Sequence, residues 1–139
     1  MSKVIVQPYL FNFNGRCEEA LEFYRTAIGA EVLMLMRFKD CPEPYSGPPE
    51  TANKVMHSSF RIGESTLMAS DGRCDEAKKT FDGFSLHLGL ATEAEVDRAF
   101  NALVDGGQVV MPLAKTFWSP RFGMLTDRFG LGWMLSVEA

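Results

Sequence analysis

The sequence predicts an α+β fold of two tandem βαβββ modules forming a curved eight-stranded mixed sheet, with the helices on its outer face. Three observations lead there. Strand-like alternation and helical periodicity follow one another in the order β-α-β-β-β, twice, within 139 residues. The helix ends of the two copies match at a constant offset, Phe23 with Phe100, Gly29 with Gly106 and Val32 with Val109. A single copy would leave one sheet face bare, so a doubled unit is the stable arrangement, and a repeat of this kind dictates the architecture. The length is one domain's worth. Module one spans about 4–70, a polar linker 71–83 and module two about 84–137.

The elements follow in order. Val4 to Phe13 is rich in β-branched and aromatic residues, with Pro8 suiting an edge or a bulge. Asn14-Gly15 turns the chain, and Asn14 is placed to cap a helix over Arg16 to Ile28. Ala20, Leu21, Phe23, Tyr24, Ala27 and Ile28 form its apolar face, and Gly29 stops it. Glu31 to Phe38 reads as a strand. Residues 40 to 53 hold Pro42, Pro44, Pro48, Pro49 and Gly47, a loop long enough for a lid or for a tolerated surface insertion. Lys54 to Ile62 alternates, with Met56, Ser58, Phe60 and Ile62 on one side and Val55, His57, Ser59 and Arg61 on the other. Gly63-Glu64 turns it into a hairpin with Ser65 to Ser70.

The pattern then restarts. Phe84 to Ala91 is a strand with Leu86, Leu88 and Leu90 facing one way and Ser85, His87 and Gly89 the other. Thr92 with Glu95 makes a capping box for a helix whose stripe is Val96, Ala99, Phe100, Leu103 and Val104. Gly106-Gly107 ends it. Gln108 to Leu113 is a strand, and Phe122 to Thr126 with Gly132 to Val137 forms a last hairpin around Arg128-Phe129-Gly130.

Composition narrows the functions. Fourteen basic and eighteen acidic residues give a net charge of −4, with no basic block for a nucleic acid. No apolar run approaches the ~18 residues of a membrane span, and no signal peptide is visible. Cys17, Cys41 and Cys74 are odd in number and lack metal-site spacing, as expected of reduced thiols in a cytoplasmic protein. Only two histidines, His57 and His87, are present, so one chain cannot build a three-histidine metal site. No nucleophile elbow, phosphate-cradling loop or paired CxxC occurs.

Several short stretches carry a family resemblance: Pro8-Tyr9-Leu10 with Phe11-Asn12-Phe13, Glu19-Ala20-Leu21-Glu22-Phe23-Tyr24, Val55-Met56-His57, Arg61-Ile62-Gly63 with Leu67-Met68-Ala69-Ser70-Asp71, Val110-Met111-Pro112-Leu113, Phe117-Trp118 before Arg121-Phe122-Gly123-Met124, and Asp127-Arg128-Phe129-Gly130. In this order, and with the repeat, the chain resembles the PhnB-like branch of the vicinal oxygen chelate superfamily, which includes glyoxalase I, bleomycin-resistance proteins and extradiol dioxygenases. The branch has proline where Arg128 stands. Its members often carry the label 3-demethylubiquinone 3-methyltransferase. The common S-adenosylmethionine enzymes need a parallel sheet with a glycine-rich first loop, and neither is read here. The resemblance implies a divalent metal held by His or Glu from the first and last strands of each module, chelating vicinal substrate oxygens. At those places this chain has Gln7, Pro8 and Tyr9, a residue on or near Ser85, Met68 with Ser70, and Met134 where a Glu is usual. None is a standard hard-metal ligand.

The candidate site residues are therefore the following. His57 and His87 both face away from the helix-packing residues. They are readable as a shifted metal pair completed by water and a carboxylate such as Glu64 or Asp71, as hydrogen-bonding or acid–base groups in a metal-free pocket, or as satisfied polar residues of a half-buried strand. Tyr9, Ser85, Met68, Met134, Trp118 and Arg121 are expected to line a ligand pocket. Arg121 beside Trp118 suits a carboxylate or phosphonate on a flat ligand, or else Arg121 pairs with Asp127 to hold the last hairpin. Eight methionines suit either an adaptable pocket or ordinary core filling, and Met34 and Met36 alternate toward the inner sheet face. Cys17 at a helix start is placed for thiolate stabilisation, with no base in sight.

Three functions remain open. The first is a bleomycin-resistance-like binder of a small molecule in an inter-module or inter-subunit cleft, with no cofactor. The second is a divalent-metal-dependent lyase, isomerase or transferase. The third is a structural homodimer, and a homodimer is expected with any of them.

Overall fold

The computed structural model describes residues 3–40, 49–72 and 80–138. Cys41, Cys74 and the loop prolines Pro42, Pro44 and Pro48 lie outside them. The chain divides into two compact units, Met1–Lys79 and Thr80–Ala139. Each is a βαβββ module with its own four-stranded mixed sheet.

In the first unit the elements are β1 (Tyr9–Leu10), α1 (Cys17–Ile28), β2 (Glu31–Arg37), β3 (Val55–Ile62) and β4 (Ser65–Ala69), with short helical turns at Phe38–Asp40 and Pro49–Thr51. The sheet order is β1-β4-β3-β2. β1 is parallel to β4, and the remaining neighbours are antiparallel. The first strand is much shorter than the β-branched and aromatic run from Val4 to Phe13 suggested. Pro8 has no N–H to give to a ladder, and regular pairing starts only after it.

α1 buries Cys17, Ala20, Leu21 and Tyr24. The Tyr24 ring stacks on Phe60 of β3, with centroids 6.3 Å apart and planes at 14°. Each of these large apolar side chains contributes roughly 1.5–3 kcal/mol of burial. Gly29 closes the helix in the left-handed conformation, φ 73°, as its position suggested.

The start of α1 differs from expectation. Arg16 occupies the N-cap position without a side-chain cap, and Asn14 sits at φ 57° two residues earlier. The capping carboxylate comes from Asp71, which is 1% exposed. Its Oδ1 accepts from the Cys17 N–H and its Oδ2 from the Val55 N–H, both at 2.8 Å. One buried side chain thus ties the start of α1 to the start of β3. It cannot serve as the free metal carboxylate considered above.

The second unit repeats the plan with β5 (Leu86–Leu90), α2 (Glu93–Val104), β6 (Gln108–Ala114), β7 (Phe122–Thr126) and β8 (Gly132–Val137), in the order β5-β8-β7-β6. Thr92 Oγ1 accepts from the Glu95 N–H at 3.1 Å, the expected cap. α2 buries Val96, Ala99, Phe100 and Leu103. Gly123 lets that helix approach, since a Cβ there would stand 2.9 Å from Phe100 Cε2. Asp127, 3% exposed, accepts from the Phe129 and Leu131 N–H groups at 2.8 and 3.1 Å and from Trp133 Nε1 at 2.9 Å.

The repeat extends to the irregularities. β2 and β6 are both edge strands, and each is bulged, between Val32 and Met34 and between Val109 and Met111. Bulges disfavour further strand addition at an open edge.

Candidate functional site: two methionine and histidine faces

Each sheet has one face covered by its helix and one that is not. Leu10, Ala69 and Phe60 are buried on the covered face of the first sheet, as are Trp133, Leu135 and Leu125 on that of the second. Side chains alternate across a strand, so the residues between these lie on the helix-free face.

The register aligns these residues in rows. In the first unit Tyr9 pairs with Met68, Met68 with Ser59 and Ser59 with Met34. In the second His87 pairs with Met134, Met134 with Met124 and Met124 with Met111. Tyr9 and His87 thus occupy equivalent places, as do Met68 and Met134. With Met36, opposite His57, six of the eight methionines (Met34, Met36, Met68, Met111, Met124 and Met134) lie on the helix-free faces.

Each face carries one histidine held by a hydroxyl. His57 Nδ1 is 2.9 Å from the Tyr9 hydroxyl, and the two rings stack with centroids 5.6 Å apart. Phe11 lies 6.0 Å beyond Tyr9 and is largely exposed. His87 Nε2 is 2.7 Å from Ser136 Oγ and 3.3 Å from Glu138 Oε1. Ser136 Oγ donates to Glu138 Oε1 at 3.1 Å. Ser136 is buried, whereas the His87 and Glu138 side chains are about half exposed.

Sequence reasoning named His57, His87, Tyr9, Met68 and Met134 but missed Ser136 and Glu138. Two signals were available. Met134, Ser136 and Glu138 alternate on one face, and Gly89 lies two residues beyond His87. A glycine inside a strand often marks the close approach of another group. Here a Cβ on Gly89 would stand 2.3 Å from Glu138 Cγ. The missing side chain is what lets Glu138 lie across β5 toward His87.

Of the other candidates, Ser85 lies on the side of Gly132 and Met134, Trp118 packs against Phe122, the residue paired with Ser136, and Arg121 is engaged by a helix. Arg121 Nε donates to Asp97 Oδ1 of α2 at 2.8 Å. Asp97, not Asp127, is therefore its observed partner, because Asp127 is directed into its own hairpin. Trp118 is 57% exposed and meets Phe122 and Phe117 edge-on, with centroids at 5.3 and 4.7 Å. Ser85 is exposed and precedes β5, and its Oγ would be 2.8 Å from a Cβ on Gly132.

Among the described residues no three His, Cys, Asp or Glu side chains gather as a metal would require. The superfamily's ligand strands present one phenol, one imidazole and two thioethers at the facing positions. That donor set does not fit a hard divalent cation. A cavity of about 350 Å³ lies at the start of α1, lined by Gly15, Glu18, Arg37, Asn53, Lys54, Val55 and Asp71. Its charged groups are engaged. Arg37 binds Glu18 and the Asn53 carbonyl, and Lys54 binds the Gly15 carbonyl.

Cys17 is buried, and its thiol is pushed up to about 12 by burial first and the Asp71 charge second, the opposite of an activated thiolate. Folding therefore favours the neutral thiol. Its stabilisation is complete below the unfolded thiol's ordinary pKa, near 9, and is lost as pH rises from there toward 12. With Cys41 and Cys74 changed to serine, Cys17 is expected to resist iodoacetamide at pH 8 until denaturant is added. Rapid alkylation of the folded protein would contradict its burial.

The doubled βαβββ module, with its first and last strands paired in parallel, is the fold of the vicinal oxygen chelate superfamily. Residues 4–136 match the family model described as 3-demethylubiquinone-9 3-methyltransferase, and the chain belongs to that family, the PhnB-like branch. Protein PA1353 from Pseudomonas aeruginosa is 40% identical, with a TM-score of 0.85 and 98% of both chains covered. Protein YjdN of Escherichia coli strain K12 is 33% identical over 95% of this chain and 94% of its own length. A putative 3-demethylubiquinone-9 3-methyltransferase, PhnB protein, from Bacillus cereus is 28% identical, with a TM-score of 0.79, covering 97% of this chain and 100% of that one.

Proposed function

We propose that the chain binds a small, largely apolar, flat molecule on its helix-free sheet faces, in the manner of bleomycin-resistance proteins and without the superfamily's metal set. One observation carries this reading: the paired rows that gather six methionines around two hydroxyl-held histidines. Methionine adapts to irregular ligands and contacts aromatic rings favourably. The Tyr9–His57 and His87–Ser136 pairs supply the few polar groups that orient a ligand on such a surface. Methyl transfer has no support in either sheet. Both are mixed and four-stranded, unlike the parallel sheet of common S-adenosylmethionine enzymes.

Labelling the methionine methyl groups with carbon-13 tests the reading. Titration with flat aromatic compounds is expected to shift the methyl signals of Met34, Met68, Met111, Met124 and Met134. Met56, which alternates onto the covered face, serves as the internal control. Absence of any shift at millimolar concentration would sink the proposal. Stoichiometric metal after reconstitution with Mn, Fe, Ni, Co or Zn would overturn its metal-free part.

We further propose a cytoplasmic homodimer. No helix among the described residues is long and apolar enough to cross a membrane. The side chains of Val32, Leu33, Met34, Val109, Val110 and Met111 on β2 and β6 are exposed, apolar surface suited to packing against a second copy by side chains, since the bulges oppose edge-to-edge strand pairing. Light scattering is expected to give twice the chain mass; the mass of a single chain would refute the dimer.

A further inference from the structure

We propose that Ser136 and Glu138 hold His87 in a single tautomer, with Nδ1 as a hydrogen-bond acceptor for a ligand that carries an acidic O–H, such as a phenol. The inference rests on the binding function proposed above and names the polar group that would select the ligand.

The direction of each hydrogen bond follows from the donor inventory. An ionised Glu138 can only accept, so Ser136 must give its single hydroxyl proton to Glu138 Oε1. The Ser136 oxygen is then left as an acceptor toward His87. At 2.7 Å, His87 Nε2 must be the nitrogen that carries the proton. Glu138 Oε1, 3.3 Å from the same nitrogen, favours the same arrangement. In a neutral imidazole the other nitrogen, Nδ1, keeps its lone pair, and among the described residues it has no partner. A carboxylate behind the ring, acting through Ser136 and directly, makes that lone pair a better acceptor.

Three features of the chain build this arrangement. Ser136 is buried and cannot easily turn to solvent. Glu138 is placed by its own backbone, since its N–H donates to the Leu90 carbonyl at 2.8 Å and extends the β5–β8 ladder. Gly89 leaves the space that the Glu138 side chain crosses. Met134 lies beside His87 in the same row and supplies an apolar neighbour for a ring whose hydroxyl reaches Nδ1. Glu138 and Ser136 are positioning residues, and the group that meets the ligand is His87. His57 provides the contrast, because its Nδ1 is already taken by the Tyr9 hydroxyl.

The test reads the tautomer directly. In nitrogen-15-labelled His57→Asn protein, His87 is the only histidine, and its ring nitrogens are expected to show protonated Nε2 and unprotonated Nδ1. Glu138→Ala and Ser136→Ala are expected to give a mixture of tautomers. Gly89→Ala, which touches neither nitrogen, is expected to do the same by displacing Glu138. In parallel, phenol is expected to bind the wild-type chain roughly three- to tenfold more tightly than anisole, which cannot donate, with the preference lost in His87→Phe. Protonated Nδ1 in the parent protein, an unchanged tautomer in Glu138→Ala, or equal affinity for phenol and anisole would each overturn the inference. Equal binding of the two leaves the general binding function standing. If neither binds, the binding function itself falls, and this inference with it.

Discussion

Replacing Asp71 by alanine is expected to destabilise the protein by about 3–5 kcal/mol, measured as the loss in unfolding free energy in urea by circular dichroism. The substitution removes a helix cap and strands two buried N–H donors, each worth about 1–3 kcal/mol when left unpaired. These donors lie on separate elements, the Cys17 N–H at the start of α1 and the Val55 N–H at the start of β3. Water cannot readily replace the carboxylate at a site that is 1% exposed. Asparagine, which offers one good acceptor in place of two, is expected to fall between wild type and alanine. A loss below about 1 kcal/mol for alanine would show that the two donors find other partners.

The larger effect is expected at Asp127, where alanine should cost about 4–5 kcal/mol, close to the whole stability of many domains. Three donors converge on this carboxylate: the Phe129 and Leu131 amides, which shape the turn between β7 and β8, and the Trp133 indole in the core. Because Trp133 is 2% exposed and Trp118 is 57% exposed, a Trp118→Phe background isolates the buried indole. Its fluorescence should shift to the red in Asp127→Ala even in the absence of denaturant. An unshifted spectrum with normal stability would show that the turn is held without the carboxylate.

These two aspartates mark the boundary of what the sequence disclosed. The module order, the helix stops at Gly29 and Gly106, the Thr92 cap and the faces of β3 and β5 follow from spacing of a few residues. Periodicity reports such spacing directly. The Asp71 cap does not, because Asp71 is 54 positions from Cys17 and nothing local distinguishes it from a loop aspartate. Asn14, three residues before Cys17 and of a usual capping type, was the natural candidate, yet the chain uses it to turn at positive φ. The Tyr9–His57 and His87–Ser136 contacts were hidden for the same reason. Which residues share a face could be read, but which strand lies beside which could not, and the parallel return of β4 and β8 decides the partners. Glu138 left a trace in Gly89, but a glycine in a strand marks that some group comes close without naming which one.

The same parallel return bears on the order in which the protein can assemble. Hairpins β3–β4 and β7–β8 join neighbours in the chain and can close as soon as they are synthesised. β1 has no such neighbour. Leu10 waits for Ala69, the far end of its own module, and Leu86 waits likewise for Trp133. Non-local pairing of this kind is slow, because the loop must be closed before any contact rewards it. On the ribosome, each module's opening strand therefore emerges first and is fixed last.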